Sequence, residues 1–211
     1  MNIYLDMIGC RLNQSEIEIM ARQFTAAGHI LVGDPAEADL AVVNTCTVTA
    51  AAAADSRKTI RRIKRSGVDK IISTGCWSSI YPELALELPG VIRVISNEEK
   101  EQLVFDLLSL DKDIIEKEPL ERVPIPGTRL RTRAFIKVQD GCNHNCAFCI
   151  TTIARGESRS ETKDNILREI QAAYQSGVKE AVLTGVQLGS WGADLDPAQN
   201  LSDLVGEILS S

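Results

Sequence analysis

The sequence predicts an α/β protein, with a parallel-sheet α/β domain first and the beginning of a second β/α unit after it. Two observations carry this reading. The first hundred residues alternate short runs rich in Ile, Val and Leu with stretches of helical periodicity, and the alternation resumes after a charged connector. A β-α-β-α-β order requires right-handed crossovers, which lay helices on the faces of a parallel sheet.

The elements follow in order. Residues 3–8 read as the first strand and about 13–27 as a helix, where Asn13 and Glu16 have the spacing of a capping box and Gly28 suits the C-terminus. A strand over 40–43 leads to a helix over about 50–66, started by five helix-favouring alanines and closed by Gly67. Strands over 70–73 and 91–95 flank a short helix after Pro82. An amphipathic helix is expected from 98 to about 113, then a connector over 116–127 containing Pro119, Pro124 and Pro126. The domain boundary falls there, giving a first domain over 1–118, a linker over 119–128 and a second domain over 129–211. The second domain reads as a strand over 134–138, a Cys-rich loop, a helix over 163–176, a strand over 180–184 and the start of a helix over 201–211.

Composition narrows the function classes. With 44% hydrophobic and 25% charged residues the chain has the make-up of a soluble globular protein. No apolar run approaches membrane-spanning length, and Asp6 interrupts an N-terminus that has no basic leader, so neither a membrane partner nor a signal peptide is expected. The expected location is cytoplasmic. Nine aromatic residues are too few for an extended base-stacking surface, and no DNA partner is expected. The formal net charge of −6 resides in residues 98–121, where nine acidic and three basic residues occur. The remainder contains a basic block, Arg57, Lys58, Arg61, Arg62, Lys64 and Arg65, which is either a solvated helix face or a phosphate-contacting patch. Arg129, Arg131 and Arg133 alternate along a strand, and with Arg155 and Arg159 they suggest a basic rim for an RNA.

Six cysteines in a reducing compartment need a reason other than disulfides. Cys10, Cys46 and Cys76 each follow a predicted strand directly and precede a helix. Parallel topology gathers such strand ends on one edge, where ligands bind. Cys142, Cys146 and Cys149 form a C-x3-C-x2-C loop after a strand. Structural zinc usually takes four protein ligands, whereas a 4Fe-4S cube held by three thiolates keeps one iron open. His29 and His144 have no nameable partners for acid–base work.

The second triplet resembles the cluster loop of radical S-adenosylmethionine (radical SAM) enzymes. The stretches Gly9-Cys10-Arg11-Leu12-Asn13-Gln14, Asn44-Thr45-Cys46-Thr47-Val48-Thr49 and Thr74-Gly75-Cys76 look like the three cysteine motifs of its methylthiotransferase branch. The run from Arg131 to Cys142, Arg-Thr-Arg-Ala-Phe-Ile-Lys-Val-Gln-Asp-Gly-Cys, looks like that branch's entry strand. The resemblance implies a partial (β/α) barrel for the second domain, two 4Fe-4S clusters and S-adenosyl-L-methionine as cofactors. Cys142, Cys146 and Cys149 would hold the cluster that reduces SAM to a 5′-deoxyadenosyl radical, and Cys10, Cys46 and Cys76 the second. Phe148 matches a position that lies against the SAM adenine, and Gly185 a backbone position near its amino group. The superfamily's usual acidic residue in that second-strand motif is absent, and Thr184-Gly185-Val186-Gln187-Leu188-Gly189 stands in its place.

Within that family the motifs around Cys46 and before Cys142 look most like the branch that methylthiolates C2 of N6-threonylcarbamoyladenosine at position 37 of tRNA. The partners so implied are an anticodon-loop adenosine of tRNA and a reductant such as flavodoxin or ferredoxin. The isopentenyladenosine and ribosomal-protein aspartate branches are the alternatives within the class. A non-catalytic iron–sulfur carrier is the alternative outside it. A full barrel has about six β/α units and the family's terminal β domain binds tRNA, so the chain reads as an N-terminal portion that is inactive by itself.

Overall fold

The computed structural model describes residues 1–110, 122, 124–126 and 133–210. Most of the expected connector, and Arg129 and Arg131 with it, lie outside the described residues. Strands β1 (Asn2–Met7), β2 (Ile30–Val32), β3 (Leu40–Thr45), β4 (Ile71–Gly75) and β5 (Val91–Ile95) form one parallel sheet in the order β2-β1-β3-β4-β5. β3 sits at the centre and is buried along its whole length, as its Leu-Ala-Val-Val run requires of a strand covered on both faces.

Helix α1 (Arg11–Ala26) places Ile17, Met20, Ala21 and Phe24 on one face of the sheet, against Ile3, Leu5, Leu40 and Val42. Helix α2 (Ala50–Arg65) covers the other face through Ile60 and Ile63, packed with Tyr4, Val43, Ile71 and Trp77. Short helices α3 (Cys76–Ile80) and α4 (Pro82–Leu86) follow β4, and α5 (Leu103–Leu108) follows β5. Gly28 and Gly67 lie just past α1 and α2 with φ of 79° and 104°, as helix-ending glycines should.

Several expectations need correction. The three-residue edge strand β2 is too short to show as a hydrophobic run, and α3 begins on Cys76 itself, where no helix was expected. Helix α1 starts at Arg11 with Cys10 at its cap, so Asn13 and Glu16 lie inside it and form no capping box. The long helix expected after residue 98 is a 3₁₀ turn at Lys100–Gln102 and then α5, which stops where Ser109 turns left-handed at φ 52°. Residues 111–113 of that expected helix are outside the described residues.

Half of the basic block on α2 is used within the fold. Arg57 lies over the Trp77 ring at 5.6 Å, Arg62 pairs with Asp6 at 2.7 Å, and Lys64 pairs with Asp69. Lys58, Arg61 and Arg65 are exposed.

The second unit contains β6 (Arg133–Lys137), β7 (Gln139–Asp140), α6 (Ile150–Arg155), β8 (Arg159–Ser160), α7 (Lys163–Gln175), β9 (Glu180–Thr184) and α8 (Leu201–Ser210). β6 and β9 pair in parallel, with α7 as crossover, over a core that includes Ile136, Val138, Ile166, Trp191 and Leu204. β7 and β8 pair antiparallel and close the Cys-rich loop at its base.

The two units meet across α1. Its polar residues Ser15, Glu16 and Arg22 are buried although they lie off the apolar face of Ile17, Met20 and Phe24, and Asn13 is buried on that face itself. The Lys137 N–H donates to Ser15 Oγ at 3.1 Å, Arg22 pairs with Glu169 at 2.6 Å, and the Arg11 guanidinium lies 4.8 Å from the Phe135 ring centre.

Candidate metal centres

The sheet order brings Cys10, Cys46 and Cys76 to one edge. They follow the carboxyl ends of β1, β3 and β4, which are adjacent strands. The crevice beyond such an edge, where strand order reverses between β1 and β3, is the usual ligand position in open α/β sheets. Cys46 and Cys76 are buried and Cys10 is exposed, and no cysteine of the chain is in a disulfide. Burial pushes the Cys46 thiol up, and the nearby Cys76 and Cys10 thiolates add to the rise. A buried thiol whose ionisation is disfavoured becomes a thiolate more readily when a cation is bound beside it.

The backbone is shaped to admit them. Gly9 has φ 118°, and a Cβ there would lie 2.6 Å from Cys46 Cβ and 2.8 Å from its Sγ. Asn13 Nδ2 donates to the carbonyls of Ile8 at 2.8 Å and Thr45 at 3.0 Å, which ties the ends of β1 and β3 beside Cys10 and Cys46.

Among the described residues no three His, Cys, Asp or Glu side chains converge tightly enough for a single metal ion. A 4Fe-4S cube offers each thiolate a different iron, so its ligands stand apart and need not meet at a point. Three thiols on neighbouring strand ends, with a glycine where a side chain would intrude, fit that group better than a lone ion.

Cys142, Cys146 and Cys149 lie on the loop between β7 and α6. Cys142 is buried, Cys149 half-buried and Cys146 exposed. The Cys142 N–H donates to Gly156 O at 3.0 Å and the Ser158 N–H to Asn143 Oδ1 at 2.9 Å, so the start of the loop is tied to the segment that follows α6. The polar groups of Thr152 and then Thr151, at the start of α6, hold the Cys149 thiol below its ordinary range. The exposed donors and the rigid base fit a cluster that keeps one face open. Phe148 is fully exposed on this loop. Gly185 follows β9, and a Cβ there would lie 3.0 Å from both Gln139 O and Gln139 Oε1.

Several structural residues of the site were not legible as such. Gln139 is completely buried, and its Oε1 accepts from the N–H groups of Val186 at 2.9 Å and Gln187 at 2.8 Å. Its Nε2 donates to the carbonyls of Asp140 at 2.8 Å and Gly141 at 2.7 Å. One side chain thus joins the cysteine loop to the Gly185 turn.

Arg155, expected on a basic rim, is 1% exposed. Its Nη1 donates to Glu16 Oε1 at 2.8 Å and Asp140 Oδ1 at 2.9 Å, and its Nη2 to Asn13 Oδ1 at 2.7 Å. Lys100 pairs with Glu16 at 2.8 Å, and Lys137 with Asp140 at 3.1 Å and Glu101 at 2.8 Å. Burial pushes the Glu16 carboxyl up, but Lys100, Arg155 and Lys137 outweigh it and hold it well below the usual range. Of the expected rim, Arg133 pairs with Glu180 at 2.6 Å, and the half-exposed Arg159 donates to the carbonyls of Arg155 and Glu157. Of the polar residues on α1 only Asn13 lies on the apolar face; Ser15, Glu16 and Arg22 read as solvated in sequence, and they mark a docking surface only once the partner is known.

Comparison with known proteins agrees with this geometry. Residues 2–96 match the model described as uncharacterized protein family UPF0004, and residues 136–188 match the radical SAM superfamily. The chain is 34% identical over 214 residues to the threonylcarbamoyladenosine tRNA methylthiotransferase MtaB of Bacillus subtilis (strain 168), with 95% of this chain and 47% of the relative covered. It is 30% identical over 223 residues to the ribosomal protein uS12 methylthiotransferase RimO of Clostridioides difficile (strain 630), covering 99% and 50%. The chain therefore spans about half the length of these curated relatives. The fold is that of the radical SAM methyltransferase TsrM from Kitasatospora setae, with a TM-score of 0.58 at 15% identity over 99% of this chain and 51% of that one. No helix among the described residues is long and apolar enough to cross a membrane. Residues 2–96 thus match the UPF0004 family and residues 136–188 the radical SAM superfamily, and relatives whose likeness to this chain spans both regions are methylthiotransferases.

Proposed function

We propose that the chain forms the cluster-binding half of a radical SAM methylthiotransferase acting on C2 of N6-threonylcarbamoyladenosine at position 37 of tRNA. One observation carries the proposal: a strand-end triplet and a loop triplet of free cysteines, held in one docked unit. Bound at these sites, two 4Fe-4S clusters would supply the electron that cleaves S-adenosyl-L-methionine and an iron able to carry sulfur.

The protein's own part is placement. Cys142, Cys146 and Cys149 present thiolates on a loop closed by β7 and β8. Gly185 leaves room beside that loop for close backbone approach, and Phe148 offers an apolar ring for the adenine of the cosubstrate. Cys10, Cys46 and Cys76 present the second set at the ends of β1, β3 and β4. The electron would come from a flavodoxin- or ferredoxin-type reductant. The tRNA branch is supported by the name carried by the Bacillus subtilis relative and by the motifs around Cys46.

The test is mass spectrometry of tRNA nucleosides and of ribosomal protein uS12 from a strain that lacks its own methylthiotransferases of all three branches and expresses the complete gene containing this chain. Appearance of the 2-methylthio derivative supports the reading. A methylthio group on isopentenyladenosine, or on an aspartate of ribosomal protein uS12, would assign the other branches. Unmodified substrates in all three classes would refute the activity.

A further inference from the structure

Each of four adjacent strands sends one polar or thiol side chain to the same edge. β1, β3 and β4 supply the cysteines, and β5 is followed two residues later by Asn97. Asn97 is 3% exposed and is held from both ends. Its backbone N–H donates to Ser79 Oγ at 2.9 Å, and that hydroxyl donates to Gly75 O at 2.9 Å, so Asn97 is tied to the helix that Cys76 opens.

Its side chain reaches both cysteine sites. Nδ2 donates to the Ala154 carbonyl at 2.6 Å, in the helix that follows Cys149, and to Cys76 Sγ at 3.7 Å. An amide NH₂ has two hydrogens and can serve both acceptors at once. The reverse orientation would set the amide oxygen against the Ala154 carbonyl, so the donor assignment is fixed by its neighbours. Among the described residues, nothing donates a hydrogen bond to the buried Asn97 Oδ1. The fold therefore keeps a dry polar side chain for its two donors alone, a cost that structural packing would avoid.

We infer that Asn97 is a positioning residue that joins the two cysteine sites and sets the reduction potential of the upstream one through its hydrogen bond to Cys76 Sγ. The inference rests on the cluster assignment above. A donor on a ligand sulfur stabilises the more negative, reduced cluster, so it raises the potential. The bond to Ala154 places that donor in register with the segment that carries the second triplet.

The test uses a parent with Cys142, Cys146 and Cys149 changed to Ala, which isolates the upstream site. After anaerobic reconstitution, iron content is measured and the midpoint potential is read by EPR-monitored redox titration. Asn97→Leu keeps the volume without the donor, and Asn97→Asp keeps the shape and adds negative charge, so the two probe the bond from different sides. The expected result is retained iron with a potential shifted downward, further for Asp than for Leu. A cluster bound in either variant at the parent's potential would overturn the inference. Absence of iron from the parent itself would overturn the cluster assignment, and this inference with it.

Discussion

Arg155, at the end of the helix that follows the second cysteine triplet, donates to Glu16 Oε1 at 2.8 Å in the helix that follows the first cysteine. Both side chains are almost fully buried, and Asp140, Lys100 and Lys137 complete the network around them. The pair sets the placement of one triplet relative to the other. A buried ion pair is costly to form and still more costly to break on one side. Arg155→Met should lower stability by about 3 kcal/mol in denaturant unfolding, because it takes one buried cation from each of Glu16 and Asp140 and leaves them Lys100 and Lys137 as buried partners. A loss below about 1 kcal/mol would show that the network does not hold the units together.

The same network gives acid sensitivity. Burial works against ionisation of Glu16 and Asp140, but the cations beside them win and lower both carboxyls from ordinary values of 4.5 and 3.8. A depressed carboxyl contributes fully above its unfolded value and loses that contribution as pH falls through its folded value. Stability from these groups should be level above about pH 6 and fall progressively below about pH 4.5. Glu16→Gln removes one titrating group, so its acid loss should be shallower than that of the parent in unfolding curves taken across that range. Equal slopes would remove Glu16 from the explanation.

Gly9 faces Cys46 so closely that a methyl group cannot be added without moving one of them. Its left-handed φ of 118° also disfavours any side chain. In a background with Cys142, Cys146 and Cys149 changed to Ala, Gly9→Ala should leave the sheet folded by circular dichroism yet cut reconstituted iron to about half or less. Undiminished iron would mean the upstream thiols have more freedom than the geometry allows.

Gln139 joins two loops. Gln139→Leu leaves the Val186 and Gln187 N–H groups without their acceptor, at about 1–3 kcal/mol for each that stays buried. Calorimetric binding of SAM to the reconstituted protein should weaken by roughly tenfold, the equivalent of about 1.4 kcal/mol. Binding at parent strength would detach the Gly185 turn from the SAM site.

The parallel sheet, its flanking helices and the strand-end placement of Cys10, Cys46 and Cys76 were legible because each rests on local pattern: apolar runs, helical periodicity and residues next to strand ends. The docking of the two units was not. Ser15, Glu16 and Arg22 follow the pattern of solvated positions, and only the arrival of Lys137, Arg155 and Glu169 turns them inward. Arg155 was misplaced on a surface rim for the same reason, since a charge is usually solvated unless its partners are known. Asn97 gave no local signal, because its two acceptors lie 21 and 57 residues away.

The central claim is that two cysteine triplets hold two separate clusters. Iron analysis with Mössbauer spectroscopy on anaerobically reconstituted protein tests it directly. The parent should bind about eight irons as two 4Fe-4S clusters, and the Cys10/Cys46/Cys76→Ala and Cys142/Cys146/Cys149→Ala variants about four each. Should either triple variant keep the parent's full iron content, the two-site account is wrong.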